Sequence, residues 1–213
     1  MRCWRASRRS KCNCREVALK PRAVCVFCGS QPGRRDQYVA AARDTARLLA
    51  QSGIELVYGG GHVGLMGALA DEALAHGGRV VGVIPEHLMR PEVAHQGLTE
   101  LIVVDSMHTR KQTMALRSDA FMVLPGGFGT LEEMFEMLTW LQLRLQAKPV
   151  GLLNVEGYFD SLLQFLEHAA NESLIMREHR DLLRVERTPA RLLARLSADI
   201  AQAQPVTGDV SLG

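Results

Sequence analysis

At 213 residues, with 47% apolar and 23% charged side chains, the chain has material for one well-buried core and too much apolar content for wholesale disorder. No stretch reaches the roughly 18 consecutive apolar residues of a membrane-spanning helix, so no membrane span is expected. The net charge of +2 hides an asymmetry: residues 1–22 carry eight Arg or Lys against the single acid Glu16, and the remainder is net acidic, which argues against general nucleic-acid binding.

The basic head, residues 1–22, reads as a disordered tail or as an extension from a start codon placed too early, which the sequence does not separate, with a nucleic-acid or membrane tether the lesser reading. Ser7-Arg8-Arg9 has the look of a twin-arginine export signal, but Lys11, Arg15, Glu16 and Lys20 leave no apolar stretch after it, and a cytoplasmic protein is expected. Cys3, Cys12 and Cys14 match no zinc-binding spacing and have no neighbouring histidine, so no metal site is expected.

From residue 23 a pattern of short apolar run, loop and amphipathic stretch repeats to residue 203. The runs cover 23–28, 54–58, 79–84, 100–105, 120–124 and 149–153, rich in Val, Ile and Leu with little alternation, as for strands covered on both faces. Helices are predicted over about 35–51, 64–76, 108–117, 130–146, 157–171 and 188–203, the last with Thr188 as N-cap and Pro189 at its first position. This alternation predicts a single α/β domain: a Rossmann-like, doubly wound parallel sheet with helices on both faces, followed by a polar tail at 204–213. Ligands of such sheets bind beyond the carboxyl ends of the strands, so the residues after each run are the informative ones.

The first run contains Cys25-x-x-Cys28. A redox pair is one reading, but residues three apart on a strand point to opposite faces, which favours two core cysteines. The second run leads into Tyr58-Gly59-Gly60-Gly61-His62-Val63-Gly64-Leu65-Met66-Gly67. Gly59, Gly61 and Gly64 fit G-x-G-x-x-G, with Glu86 placed as a ribose-binding acid would be, so an NAD-binding reading is permitted. It is weakened because the loop follows the second strand and not the first.

The fourth run leads into Met107-His108-Thr109-Arg110-Lys111. Cations are disfavoured at a helix start by the dipole, and that misfit points to function, with phosphate the natural partner. The fifth run leads into Leu124-Pro125-Gly126-Gly127-Phe128-Gly129-Thr130-Leu131-Glu132-Glu133, a second glycine-rich turn opening a helix. Two such turns in one sheet suggest one anionic ligand. Neither is followed by the Lys-Ser/Thr of a Walker loop, so ATP hydrolysis is not indicated. Thr130 and Glu133 have the T-x-x-E spacing of a capping box, and the Thr130 hydroxyl would equally suit a phosphate.

Taken together, Cys28-Gly29-Ser30, the Gly59–Gly67 loop, M-H-T-R-K at 107–111 and P-G-G-F-G-T-L-E-E at 125–133 resemble the LONELY GUY family of cytokinin riboside 5′-monophosphate phosphoribohydrolases, over about residues 23–190. The resemblance implies a Rossmann-like homodimer that hydrolyses the N-glycosidic bond of AMP or an N6-modified AMP without a cofactor. It implies Arg110 and Glu133 as the catalytic pair. Substrate contacts are implied for Ser30, Gly60, Gly61, Glu92, Lys111, Gly127, Phe128, Gly129, Thr130, Leu131, Glu132 and Thr139. Gln31 departs from the second serine common after Cys-Gly-Ser in the family. The lysine decarboxylase label long attached to this family does not suit the residues. That chemistry uses a Schiff-base lysine, and beyond residue 22 only Lys111 and Lys148 occur, neither in a motif for it. A non-catalytic nucleotide or molybdenum-cofactor carrier on the same fold is the competing reading, and it has no need of both Arg110 and Glu133.

Overall fold

The computed structural model describes residues 20–90 and 93–203. Seven short strands are threaded between helices: β1 Ala23–Phe27, β2 Glu55–Tyr58, β3 Val80–Pro85, β4 Glu100–Val104, β5 Ala120–Val123, β6 Val150–Leu153 and β7 Leu183–Glu186. The helices are α1 Asp36–Gln51, α2 Gly64–Ala75, α3 Met107–Leu116, α4 Phe128–Gln142, α5 Asp160–Asn171, the single turn α6 Arg177–Arg180, and α7 Pro189–Gln202. Every strand pair is parallel, in the order β4-β3-β2-β1-β5-β6-β7.

Alternation along the strands divides the core in two. Val24, Val26 and Cys28 join α1, α2 and α7 on one face, with Leu49, Leu69 and Leu196 fully buried. Ala23, Cys25 and Phe27 join α3, α4 and α5 on the other, around Phe121, Met114, Met134 and Met137. The two cysteines thus stand on opposite faces, both free and buried. Burial, with the Glu133 carboxylate adding to it, pushes both thiols up, so they are inert core residues.

The strand β7 has no counterpart among the six predicted runs. Leu-Arg-Val-Glu is an edge strand with one buried residue, and its alternation lacks the apolar density by which the others were found. Two helix starts also differ from expectation. The fifth helix begins at Asp160, not 157, because Glu156 and Gly157 adopt positive φ, 49° and 72°. The fourth begins at Phe128 with Gly127 as N-cap and ends at Gln142. At the other end of the chain, Arg22 already belongs to the body: its N–H donates to Asp119 and its carbonyl accepts from Glu55. The rest of the basic head through residue 19, with Cys3, Cys12 and Cys14, lies outside the described residues, as do 204–213.

The strand order sets the position of the site. From β1 the chain winds outward through β2 and β3, and from β5 it winds the opposite way through β6. The winding reverses between β1 and β5, and at such a switch point the ligand crevice lies outside the carboxyl ends of the strands.

Candidate active site

The loops after β1, β2, β3, β4 and β5 meet at this carboxyl edge. Ser106 caps α3, its Oγ accepting from the Thr109 N–H at 3.1 Å, so the helix starts firmly under its two cations. Arg110 leaves the first turn and lies flat over the strand ends. Its Nε donates to the Val83 carbonyl at 3.0 Å, Nη2 to the Gly59 carbonyl at 3.4 Å, and Nη1 to Glu133 Oε1 at 2.9 Å. The planar guanidinium fork satisfies three acceptors on three elements, a task the point charge of a lysine cannot perform.

Gly59 makes room for this side chain: a Cβ there would lie 2.0 Å from Arg110 Nη2. Gly64, at φ +62°, lets the backbone of Ser30 come within what would be 2.3 Å of a Cβ. The G-x-G-x-x-G match therefore reflects close packing within the protein, and the NAD reading loses its physical basis.

Glu133 comes from α4, with its side chain 9% exposed against 11% for Arg110. Burial raises its pKa above the ordinary 4.5, and the Arg110 guanidinium opposes that rise. The result is a carboxylate held out of water and oriented by one cation.

The predicted capping box does not form. Gly127, not Thr130, is the N-cap of α4, and it makes no side-chain capping bond. Thr130 sits in the first turn, 4% exposed, packed against Gly126, where a Cβ would lie 2.1 Å from its Oγ1. Glu133 faces Arg110 instead of reaching back to the turn. The stretch Gly127–Gly129 is exposed, and the first-turn N–H groups of a helix have no intrahelical acceptors, so the turn presents donors and the positive end of the dipole to the crevice.

Of the other residues singled out in the sequence, Ser30 lines the crevice together with Pro32, Tyr38, Gly126, Gly127 and Tyr158, around a cavity of about 240 Å³. Gly60 and Gly61 are buried and tied to the segment after β3, with Gly60 accepting from the His95 N–H at 2.9 Å and Gly61 bridging Ala94. Lys111 points away from the turn to Glu132 and Glu136, the latter at 3.0 Å. Leu131 packs on the second core. Phe128 is 94% exposed. Thr139 lies on the exposed side of α4, its hydroxyl donating to the Phe135 carbonyl, apart from the Arg110–Glu133 pair. Glu92 lies outside the described residues.

Reading the sequence missed Tyr38 and Tyr158, which wall the crevice. The signal was there, since Asn154-Val155-Glu156-Gly157-Tyr158 follows the sixth run just as the other informative loops follow theirs. A larger cavity, about 590 Å³ among Arg22, Glu55, Arg79 and Asp119, lies at the opposite, amino end of the strands and holds none of these groups.

Comparison with known proteins identifies the family. A family model described as "Possible lysine decarboxylase" matches residues 66–196. A protein of Rhodococcoides fascians named cytokinin riboside 5′-monophosphate phosphoribohydrolase is 55% identical over 156 residues, 73% of this chain and 79% of that one. A rice protein (Oryza sativa subsp. japonica) named as a probable enzyme of the same kind is 48% identical over 180 residues, 84% of this chain and 73% of its own. A named Arabidopsis thaliana phosphoribohydrolase is 47% identical over 178 residues, 83% and 82% of the two chains. Among solved structures, the molybdenum cofactor binding protein of Rippkaea orientalis superposes with TM-score 0.65 at 23% identity, covering 85% of this chain and 98% of that one, a likeness of fold alone. Within the described residues Lys111 is paired with acids, and Lys148 stands at the amino end of β6 with Nζ on the Ala115 carbonyl. Neither lysine reaches the crevice, so the decarboxylase description does not fit the site. By its motifs and by its identity to these relatives along most of its length, the chain belongs to the LONELY GUY family of cytokinin riboside 5′-monophosphate phosphoribohydrolases.

Proposed function

We propose that this protein hydrolyses the N-glycosidic bond of a nucleoside 5′-monophosphate, AMP or an N6-modified cytokinin relative, releasing the free base and ribose 5-phosphate. The observation that carries the reading is the buried Arg110–Glu133 pair at the carboxyl edge of the sheet, with Glu133 on the same helix α4 as the exposed Gly127–Gly129 turn. Cleavage passes through an oxocarbenium-like transition state. The 5′-phosphate rests on the α4 N-terminus. Glu133 orients and deprotonates a water on the C1′ side and balances the positive charge that grows on the ribose. The C1′–N bond breaks, the water oxygen ends on C1′, and the departing base takes a proton. Arg110, too basic to give up its own proton, acts through charge on the sugar and phosphate.

Incubation of the protein with AMP and with N6-isopentenyl-AMP, followed by separation of free bases, is expected to show stoichiometric base and ribose 5-phosphate. Saturable binding of either nucleotide without release of base would overturn hydrolysis and favour a carrier on the same fold.

The end of α3 and the turn after α4 expose Leu116 (75%), Leu143 (59%) and Leu145 (69%), Leu116 and Leu145 lining one groove with the half-buried Trp140. Exposed apolar side chains of this size are costly in water, and a second copy of the chain is their partner in this proposal, giving a homodimer in the cytoplasm. Among the described residues no helix is long and apolar enough to cross a membrane. Light scattering is expected to give the mass of two chains, and a monomer at micromolar concentration would overturn the dimer.

A further inference from the structure

The turn that faces the crevice carries a weakness of its own. Its peptide unit Gly126–Gly127 is flanked by two glycines, which give the backbone unusual freedom to rotate that plane. Because the peptide is planar and trans, the Gly126 carbonyl and the Gly127 N–H point in opposite directions. Whatever holds the carbonyl therefore aims the N–H. The Tyr158 hydroxyl holds it, donating to the Gly126 carbonyl at 2.7 Å from a position 32 residues away in sequence.

The loop that delivers Tyr158 is built for rigidity. Asn154 is 3% exposed, its Oδ1 accepting from the Phe159 N–H at 2.9 Å and its Nδ2 donating to Asp160 at 2.7 Å. Between these anchors Glu156 takes φ 49°, a left-handed conformation that a non-glycine residue adopts at a cost, and so one the surrounding bonds must enforce. The Tyr158 ring is gripped edge-on by Tyr38 at 5.4 Å and by the buried Phe159 at 4.7 Å. Yet Tyr158 itself is 43% exposed and contributes little to the core. So ordered a loop around a half-exposed tyrosine has its purpose at the Gly126 carbonyl.

We propose that Tyr158 is a positioning residue that locks the Gly126–Gly127 peptide with the Gly127 N–H directed at the 5′-phosphate, and so sets the preference for phosphorylated over unphosphorylated nucleoside. The inference rests on the phosphoribohydrolase reading. Tyr158→Phe keeps the ring and its aromatic contacts and removes only the hydroxyl. Loss of one neutral hydrogen bond that preorganises the turn is expected to raise KM for AMP and Ki for ribose 5-phosphate in parallel, each about 3- to 10-fold, with kcat within about twofold. Inhibition by free adenine, which carries no phosphate, should not change, and Tm should move by no more than about 2 °C.

A variant with unaltered KM and Ki overturns the proposal, as does one that loses stability while KM and Ki hold. Both leave the hydrolytic reading standing. Wild-type protein that neither cleaves AMP nor binds ribose 5-phosphate by calorimetry overturns the phosphate site, and the role of Tyr158 with it.

Discussion

Glu133→Gln is expected to lower kcat for AMP by about 10² to 10⁴-fold, the usual loss when a positioned acid–base group is removed, while the nucleotide still binds. The amide keeps the shape of the side chain, and its oxygen can still accept from Arg110 Nη1, which Glu133 does at 2.9 Å. What disappears is the negative charge and the ability to take a proton from water. With the phosphate on the α4 turn, as proposed, and not on Glu133, KM should change far less than kcat. Release of adenine at the wild-type rate would remove Glu133 from the mechanism.

The same residue sets the pH profile. Burial lifts its pKa above the ordinary 4.5, with Arg110 pulling the other way. The acid limb of kcat/KM should therefore lie above the ordinary carboxylate range and vanish in Glu133→Gln. The consequence for stability has the opposite sense. A carboxyl harder to ionise in the fold than in the unfolded chain contributes stability that is full below its unfolded pKa and is lost as pH rises through its folded pKa. Ionising Glu133 in its buried place therefore comes at some expense to stability, as expected where a group is kept for chemistry.

Much of this arrangement was legible in the residues, and the reasons for success and failure are physical. Six of the seven strands announced themselves as apolar runs, even the edge strand β4, whose Leu-Ile-Val-Val is apolar although none of it is fully buried, whereas β7, Leu-Arg-Val-Glu at the other edge, alternates charged and apolar residues over only four positions. The motifs placed Arg110 and Glu133 at the carboxyl edge of the sheet, because the segments that follow the strands' carboxyl ends lie there. Their pairing across 23 residues depends on strand order, which periodicity does not encode. The same limit explains Thr130: T-x-x-E spacing permits a local box, but the glycines let the helix begin earlier and free Glu133 for a partner on another element. Lys111 shows the converse. Its position in the motif gave it a phosphate, and the packing of α3 on α4 gives it Glu132 and Glu136.

Arg110→Ala tests the other half of the pair and is expected to abolish turnover, a loss of at least about 10²-fold, from displaced reacting groups as well as lost charge. It should also cost stability, because the truncation strands Glu133, 9% exposed, without its cation. Breaking a buried pair by removing one partner typically costs about 3 kcal/mol or more, about 6 to 12 °C in Tm for a chain of this size. The stranded carboxyl can escape this cost by protonating, since with Arg110 gone burial and the neighbouring Glu132 raise its pKa against Lys111 alone. The stability gap between Arg110→Ala and wild type should therefore narrow as pH falls from 8 towards 5. The double variant Arg110→Ala with Glu133→Gln removes both charges and should regain most of the lost Tm while remaining inactive, a non-additivity expected only of groups in direct contact. If the double variant were as unstable as the sum of the singles, the ion pair would not be the source of the effect. If Arg110→Ala alone lowered Tm yet turned over AMP normally, the guanidinium would serve only to hold the strand ends together.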